Sequence, residues 1–324
     1  MKVIIPVAGV GKRLRPHTES MPKPLLEVGG RPILDHVVRP LDGLDVDEVV
    51  FIIGHLGDKI RRHVRRHYSF KARFVEQDRL LGLGYAVSIA LCEKEPGPVL
   101  ILLGDTIVDC EMRDFISAGD YVLGVHEVAN PHRFGIAELA GGFVSAVQEK
   151  PEDPKTNLAL IGLYYFADAA GLKTALARLV QSGMTTSGEI QLTDALAAML
   201  ADGVKFVPYN ISHWYDCGER ETLLATNRFL LDRMESSGAP DGSTVTPPVH
   251  IDSSAVIIDS EIGPYVSVGV GARIENSVIS NSIVASESEI VNANIRDSLV
   301  GTKAVVRGRQ GVVNIGEHSE IDDD

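Results

Sequence analysis

The sequence predicts an α/β protein: a three-layer domain on a mostly parallel sheet, followed by a short coil of parallel β-strands. Three observations predict it. Strand and helix patterns alternate through the first half of the chain. Some strand candidates, such as residues 99–103, are apolar throughout, as strands covered on both faces are. Past residue 248 apolar positions recur at a near-six-residue period, with Ile262, Val268 and Ile274 in step and Gly263 and Gly269 after the first two.

In order, residues 3–7 read as a first strand running straight into a glycine loop. Pro32 opens a helix over residues 31–41, and residues 49–53 form a second strand. The basic stretch 59–66 reads as a solvated helix, because Ile60 and Val64 share one face with the bases around them. A strand at 72–75 and a helix at 85–92 follow. Later strands are expected at 121–125, 135–138, 143–149, 160–166 and 204–208, with amphipathic helices at 168–181 and 189–202. A helix over 219–234 closes this part, and the Ser-, Gly- and Pro-rich stretch after it reads as a boundary. The chain therefore divides into residues 1–235, a linker at 236–248 and a coil at 249–324. The coil is expected to make about three turns of three strands each, with Ser and Asn at its corners bonding their own backbone. Its open surfaces need capping or a partner, so a homo-oligomer is expected.

The formal charge of −13, from 31 basic and 44 acidic side chains, argues against a general nucleic-acid binder. No run of eighteen apolar residues occurs, so no membrane partner is expected, and the N-terminus reads as a strand rather than a signal peptide. Cys92, Cys110 and Cys217 are scattered and odd in number, which fits a reducing cytoplasm and argues against a disulfide scaffold. The histidines lack a metal-binding spacing, and Cys217 reads as structural.

Five short elements carry chemistry. Ala8-Gly9-Val10-Gly11-Lys12-Arg13 follows a strand; its glycines allow close approach to phosphate and Arg13 adds charge, although a plain turn would look the same. Pro22-Lys23-Pro24 presents one lysine on a stiffened backbone. Asp105 stands past an apolar strand and a glycine, where ligands of parallel sheets bind. Asp216, after Trp214-Tyr215, is a second carboxylate in a comparable setting. With a bound triphosphate the two aspartates could hold magnesium, and either alone could equally serve as a cap or turn residue. Glu149-Lys150-Pro151 offers an acceptor for sugar hydroxyls beside a cation for phosphate.

In this order the elements resemble the sugar 1-phosphate nucleotidylyltransferases, in the long form with a C-terminal left-handed β-helix. Residues 9–16 look like the family's signature loop, with Lys12 where threonine is usual. Gln77 and Gly82-Leu83-Gly84 look like base-recognition elements, Leu103-Gly104-Asp105 like the metal motif and Phe134-Gly135 like a sugar-contacting turn. Glu149-Lys150-Pro151, Asn157 with Gly162, and residues 214–218 complete the order. The resemblance implies a Rossmann-like nucleotidyltransferase domain over 1–235 and a left-handed parallel β-helix over 249–324.

It further implies that Ala8, Gly9, Gly11, Arg13, Gln77 and Gly82 bind the nucleotide and that Gly135, Glu149, Lys150 and Asn157 bind the sugar phosphate. Arg13, Lys23, Asp105, Lys150 and Asp216 would be catalytic, with Asp105 and Asp216 on Mg²⁺. The substrates implied are a nucleoside triphosphate and a sugar 1-phosphate, with dTTP and glucose 1-phosphate favoured. Uridylyl transfer, which the Pro6-Val7-Ala8-Gly9 opening also suits, and then mannose 1-phosphate guanylyl transfer are the alternatives. A metal-dependent glycosyltransferase would want a paired Asp-x-Asp that Asp105-Thr106-Ile107 lacks. A non-catalytic regulatory subunit would be expected to have lost one of the five charged residues. The coil is expected to be a scaffold rather than a second active site.

Overall fold

A computed structural model describes residues 1–91, 97–240 and 242–323. Cys92, and with it the end of the helix expected at 85–92, lies outside the described residues, as does Asp241 within the 236–248 stretch. The chain forms two compact units. One comprises Met1–Gly9 and Val37–Trp214, the other Val10–His36 and Tyr215–Asp324.

The first unit is a Rossmann-like mixed sheet of nine strands with helices packed on it. Four strands are parallel neighbours, in the order Val99–Leu102, Lys2–Pro6, Glu48–Ile53 and Ala72–Glu76. Glu48–Ile53 is buried at every position, which explains its unbroken apolar run. Leu158–Phe166 pairs antiparallel to Val99–Leu102 and carries the remaining strands, Tyr121–Glu127 with Val207–Asn210 and Gly135–Ala140 with Phe143–Glu149. The basic helix is Gly57–His67, with Ile60 and Val64 buried as their spacing requires. Arg61 pairs with Glu76 at 2.6 Å and lies over the Phe74 ring, so part of that charge is absorbed structurally. The short strand Thr106–Asp109 and the helix Met112–Ser117 have no counterpart in the sequence reading. Both are too short to show a period.

Two glycines shape the turn that follows the strand Val99–Leu102. At Gly104 an added methyl would strike Val7 Cγ1 and would reach Pro6 O at 2.9 Å. Gly162 holds φ +81°, bulges its strand between Leu160 and Tyr164, and accepts a hydrogen bond from Leu103 N at 3.0 Å. The pair fixes the turn that ends in Asp105. Gly104→Ala is expected to destabilise the protein by about 1–3 kcal/mol through overpacking. A lower urea midpoint at unchanged slope would show it; an unchanged midpoint would mean the strand shifts freely.

The second unit holds the helix Arg220–Leu231 and a left-handed β-helix of three parallel sheets with five strands each. Ile262, Val268 and Ile274 fall on three different sheets, so the six-residue period marks successive sides of the coil. The coil is longer than the three turns expected. Its first rung is Thr244–Val245, inside the Ser/Gly/Pro-rich stretch, and turns of 15 to 17 residues blur the six-residue pattern. The interior is a stack of Val, Ile and Ala, including Ile274, Ile290 and Val306, all fully buried. Corners use left-handed residues such as Asp259, Asn276 and Asn292. Serines ladder between turns: Ser260 Oγ accepts from Ser277 N at 3.1 Å and Ser277 Oγ from Ala293 N at 3.0 Å.

Candidate active site

The candidate residues fall into two groups, one in each unit. In the first, Ala8 and Gly9, Gln77 and Asp105 each follow the carboxyl end of a different parallel strand. Strand order reverses between Lys2–Pro6 and Val99–Leu102, and open α/β sheets bind ligands beyond the carboxyl ends at such a reversal. Gly9 is exposed and a methyl built on it would meet nothing within 4 Å, so its backbone faces open space. Gln77 N donates to Ile53 O at 2.8 Å, which anchors its backbone. Asp105 is half-buried. Gly82 caps the helix Leu83–Ala90 at φ 102°, and a side chain there would collide with Ile190 O at 2.7 Å. Gly84 N donates to that same carbonyl at 2.8 Å, so this turn is clamped against residues 189–191.

Glu149 ends its strand opposite Gly135. Its Oε2 accepts from Thr193 Oγ1 at 2.7 Å, and a methyl at Gly135 would meet both atoms at 2.9 Å. The carboxylate is thus laid across a glycine and oriented by a hydroxyl. Lys150 Nζ lies 3.5 Å from the other carboxylate oxygen, with its own side chain nearly half exposed. Burial, with Glu149 nearby, raises the Tyr164 phenol well above its ordinary pKa, so that group is neutral at physiological pH. Asn157 lines an open cavity of about 570 Å³ with Glu127, Glu138 and Lys155.

In the second unit Gly11, at φ +65°, opens the short turn Lys12–Leu14. A methyl on it would meet Thr18 Cγ2 at 2.9 Å and Lys23 Cβ at 3.3 Å, so the glycine is required by packing as well as by φ. Arg13 is exposed and pairs with Glu219 at 2.6 Å. Lys23 is buried, its side chain only 9% exposed, with Nζ 3.8 Å from Asp216 Oδ1. A buried ammonium needs such a counter-charge. Gly218 leaves room for the Asp216 carboxylate and for Arg13, because a methyl there would meet the carboxylate at 2.9 Å and Arg13 Nη2 at 3.0 Å. Glu219 caps the helix Arg220–Leu231 through a capping box with Thr222. Cys217 is fully buried beside Thr226, 3.7 Å from its hydroxyl, as a structural residue would be.

Sequence reasoning missed Thr193 and Glu219. Each lies far along the chain from its partner and carries a bland local signal, one at a helix start and one as a cap. Asp105 in one unit and Asp216 in the other are each hard oxygen donors of the kind magnesium takes. Among the described residues no group of three or more His, Cys, Asp or Glu side chains forms a ready-made metal cage.

Ala8, Gly9, Gln77 and Asp105, each past the carboxyl end of a parallel strand, stand where α/β nucleotide-binding proteins hold their ligands. The chain belongs to the nucleotidyl transferase family, whose model matches residues 2–233. It is 32% identical to the low-salt glycan biosynthesis nucleotidyltransferase Agl11 of Haloferax volcanii, over 99% of both chains. It is 29% identical to a glucose-1-phosphate thymidylyltransferase of Streptomyces antibioticus, again over 99% of both. Its fold is that of a UDP-glucose pyrophosphorylase solved with UDP-glucose, at a TM-score of 0.59 and 23% identity over 72% of this chain and 99% of that one. No helix among the described residues is long and apolar enough to cross a membrane.

Proposed function

We propose that the protein transfers a nucleotidyl group from a nucleoside triphosphate to a sugar 1-phosphate, releasing pyrophosphate, with dTTP and glucose 1-phosphate as the preferred pair. The observation that carries this reading is the pairing of Glu149, oriented by Thr193 over Gly135, with the neighbouring cation Lys150. A carboxylate accepts sugar hydroxyls and an ammonium takes the sugar's phosphate. The family's match across residues 2–233 takes in both groups of candidate residues, and the thymidylyltransferase relative supports the base and sugar. The same span supports a catalytic domain over 1–235, followed by the coil, whose first rung is Thr244–Val245, as scaffold.

Ala8, Gly9, Gly11 and Arg13 receive the β- and γ-phosphates, and Lys23 neutralises charge at the α-phosphate. Gln77 and Gly82 meet the base. Gly135, Glu149, Lys150 and Asn157 hold the sugar phosphate. Asp105 and Asp216 supply oxygens to Mg²⁺, which when bound offsets the negative charge of the triphosphate. The sugar phosphate oxygen bonds to the α-phosphorus while the bond to pyrophosphate breaks. The nucleophile is already an anion, so no general base is required, and positioning with charge neutralisation supplies the rate. A homo-oligomer in the cytoplasm is the setting proposed, on the open ends of the coil and the scattered cysteines.

Uridylyl transfer is the second reading, favoured by Val7-Ala8-Gly9 where many thymidylyl enzymes carry a further glycine. Thymine and uracil differ by one methyl, worth about 1–3 kcal/mol of discrimination. Pyrophosphate release with Mg²⁺, across glucose, mannose, galactose and N-acetylglucosamine 1-phosphates and the five common triphosphates, tests both. One dominant pair with dTTP is expected. Dominance of UTP would replace the first reading with the second, and no release from any pair by folded protein would overturn both.

A further inference from the structure

The loop that carries Arg13 and Lys23 has little regular structure of its own. It contains two short 3₁₀ turns, Lys12–Leu14 and Lys23–Leu25, and spaced glycines and prolines. Its position must be set from outside. Within its unit the loop lies on the β-helix, along a column of small residues. Gly269, Ala285, Gly301 and Gly316 each follow a residue of one stacked strand column, Val268, Val284, Val300 and Ile315. At one end Pro16 sits on Gly316, where an added methyl would meet its atoms at 3.1–3.2 Å. At the other, Glu27 crosses Gly269, where a methyl would reach its carboxylate at 2.6 Å. Glu27 also accepts from Ser286 Oγ at 2.6 Å, and burial raises its carboxyl above the ordinary range. Between these ends a cavity of about 70 Å³ remains, lined by His17, Met21, Leu25, Ala285 and Gly301 among others.

We propose that His17 and Asn314 are positioning residues through which the β-helix holds the phosphate-binding loop in register. His17 is only 7% exposed, and its Nε2 lies 2.8 Å from Asn314 Oδ1 on the last rung of its sheet. Burial keeps the imidazole below its usual pKa, so it is neutral near pH 7. The next residue, Thr18, donates its hydroxyl to Gly11 O at 2.8 Å. Gly11 in turn packs on Lys23 Cβ and opens the turn that holds Arg13. A fixed rung of the coil is thereby linked through two side-chain hydrogen bonds to both phosphate-binding cations. The coil thus has a task in nucleotide binding within its own chain, in addition to any part in assembly. The inference rests on the proposed roles of Arg13 and Lys23.

The test compares His17→Ala, Asn314→Ala, His17→Gln and Arg13→Ala in the full chain, using the best substrate pair. Small displacements of a positioned group cost up to about a hundred-fold in rate, so a partly loosened loop is expected to raise KM for the triphosphate about ten-fold. KM for the sugar phosphate should change by less than about two-fold, since Glu149 and Lys150 are fixed by other elements. His17→Gln, whose amide can donate to Asn314, should restore much of the loss. A brace that is merely structural would lower the melting temperature and the active fraction but leave both KM values alone, and that result overturns the proposal. Should His17→Ala fail to fold, the exposed Asn314 position decides by the same KM comparison. Arg13→Ala separates the two levels: if it leaves KM for the triphosphate unchanged, the phosphate-binding assignment itself is wrong. If it raises KM while His17→Ala and Asn314→Ala do not, only the positioning role is lost.

Discussion

Lys23→Met is expected to lower kcat by about 10²–10³, the usual loss when one preorganised group facing developing charge is removed. The methionine keeps the length and apolar stem of the side chain and deletes the ammonium. Lys23 is the most enclosed of the proposed catalytic cations, with its side chain 9% exposed against 57% for Arg13 and 46% for Lys150. In that setting its charge is weakly screened by water, so its loss is felt strongly by a polyphosphate. The same substitution deprives Asp216 of a counter-charge at 3.8 Å. Because the Asp216 side chain is 21% exposed and the separation is long, the stability cost is set at about 1–3 kcal/mol, below that of a fully buried pair. Steady-state kinetics with a urea titration separates the two effects. Wild-type kcat in a variant with a lowered urea midpoint would make Lys23 a structural lysine only. Lys23→Arg should not restore activity, since a planar guanidinium does not fit a slot built for a point charge.

Asp105→Asn is the second large effect. It preserves shape and removes one negative charge from a turn fixed by backbone contacts: Thr106 N to Leu103 O at 3.2 Å and Leu103 N to Gly162 O at 3.0 Å. Turnover at fixed magnesium is expected to fall by about 10²–10³, with stability changed by no more than about 0.5 kcal/mol. Raising the magnesium concentration should recover part of the activity, because a weakened ligand set binds the ion less tightly. Full activity at wild-type magnesium demand would remove Asp105 from the metal site. Loss of activity with a lowered melting temperature would instead point to a turn residue.

How far the sequence could be read depended on the range of each signal. Residues 143–149 were bounded as they stand in the structure, and residues 49–53 to within one residue, because alternation and unbroken apolar runs are local. The strand at 160–166 proved longer, Leu158–Phe166, since its bulge at Gly162 interrupts the pattern where it turns to serve Leu103. The strand expected at 204–208 begins at Val207, because Phe206 O is taken by Val144 N and the preceding residues close a helix. Asp105 at a strand end was legible from Gly104 and the apolar run before it. Thr193 was not, since a threonine at a helix start says nothing about a glutamate 44 residues earlier.

The sequence by itself determined the two architectures, the parallel strands with ligand-facing ends and the three-sided coil, because both follow from periods of two to six residues. It also determined which charged residues are candidates, through their spacing to glycine and proline. Only the tertiary structure decided their surroundings: that Lys23 is buried against Asp216, that Thr193 orients Glu149, and that residues 10–36 pack with the coil rather than with the strand preceding them. The reason is physical. Local pattern reports which face of an element is apolar, whereas a buried charge, a hydroxyl partner or a glycine landing site depends on what arrives from tens to hundreds of residues away.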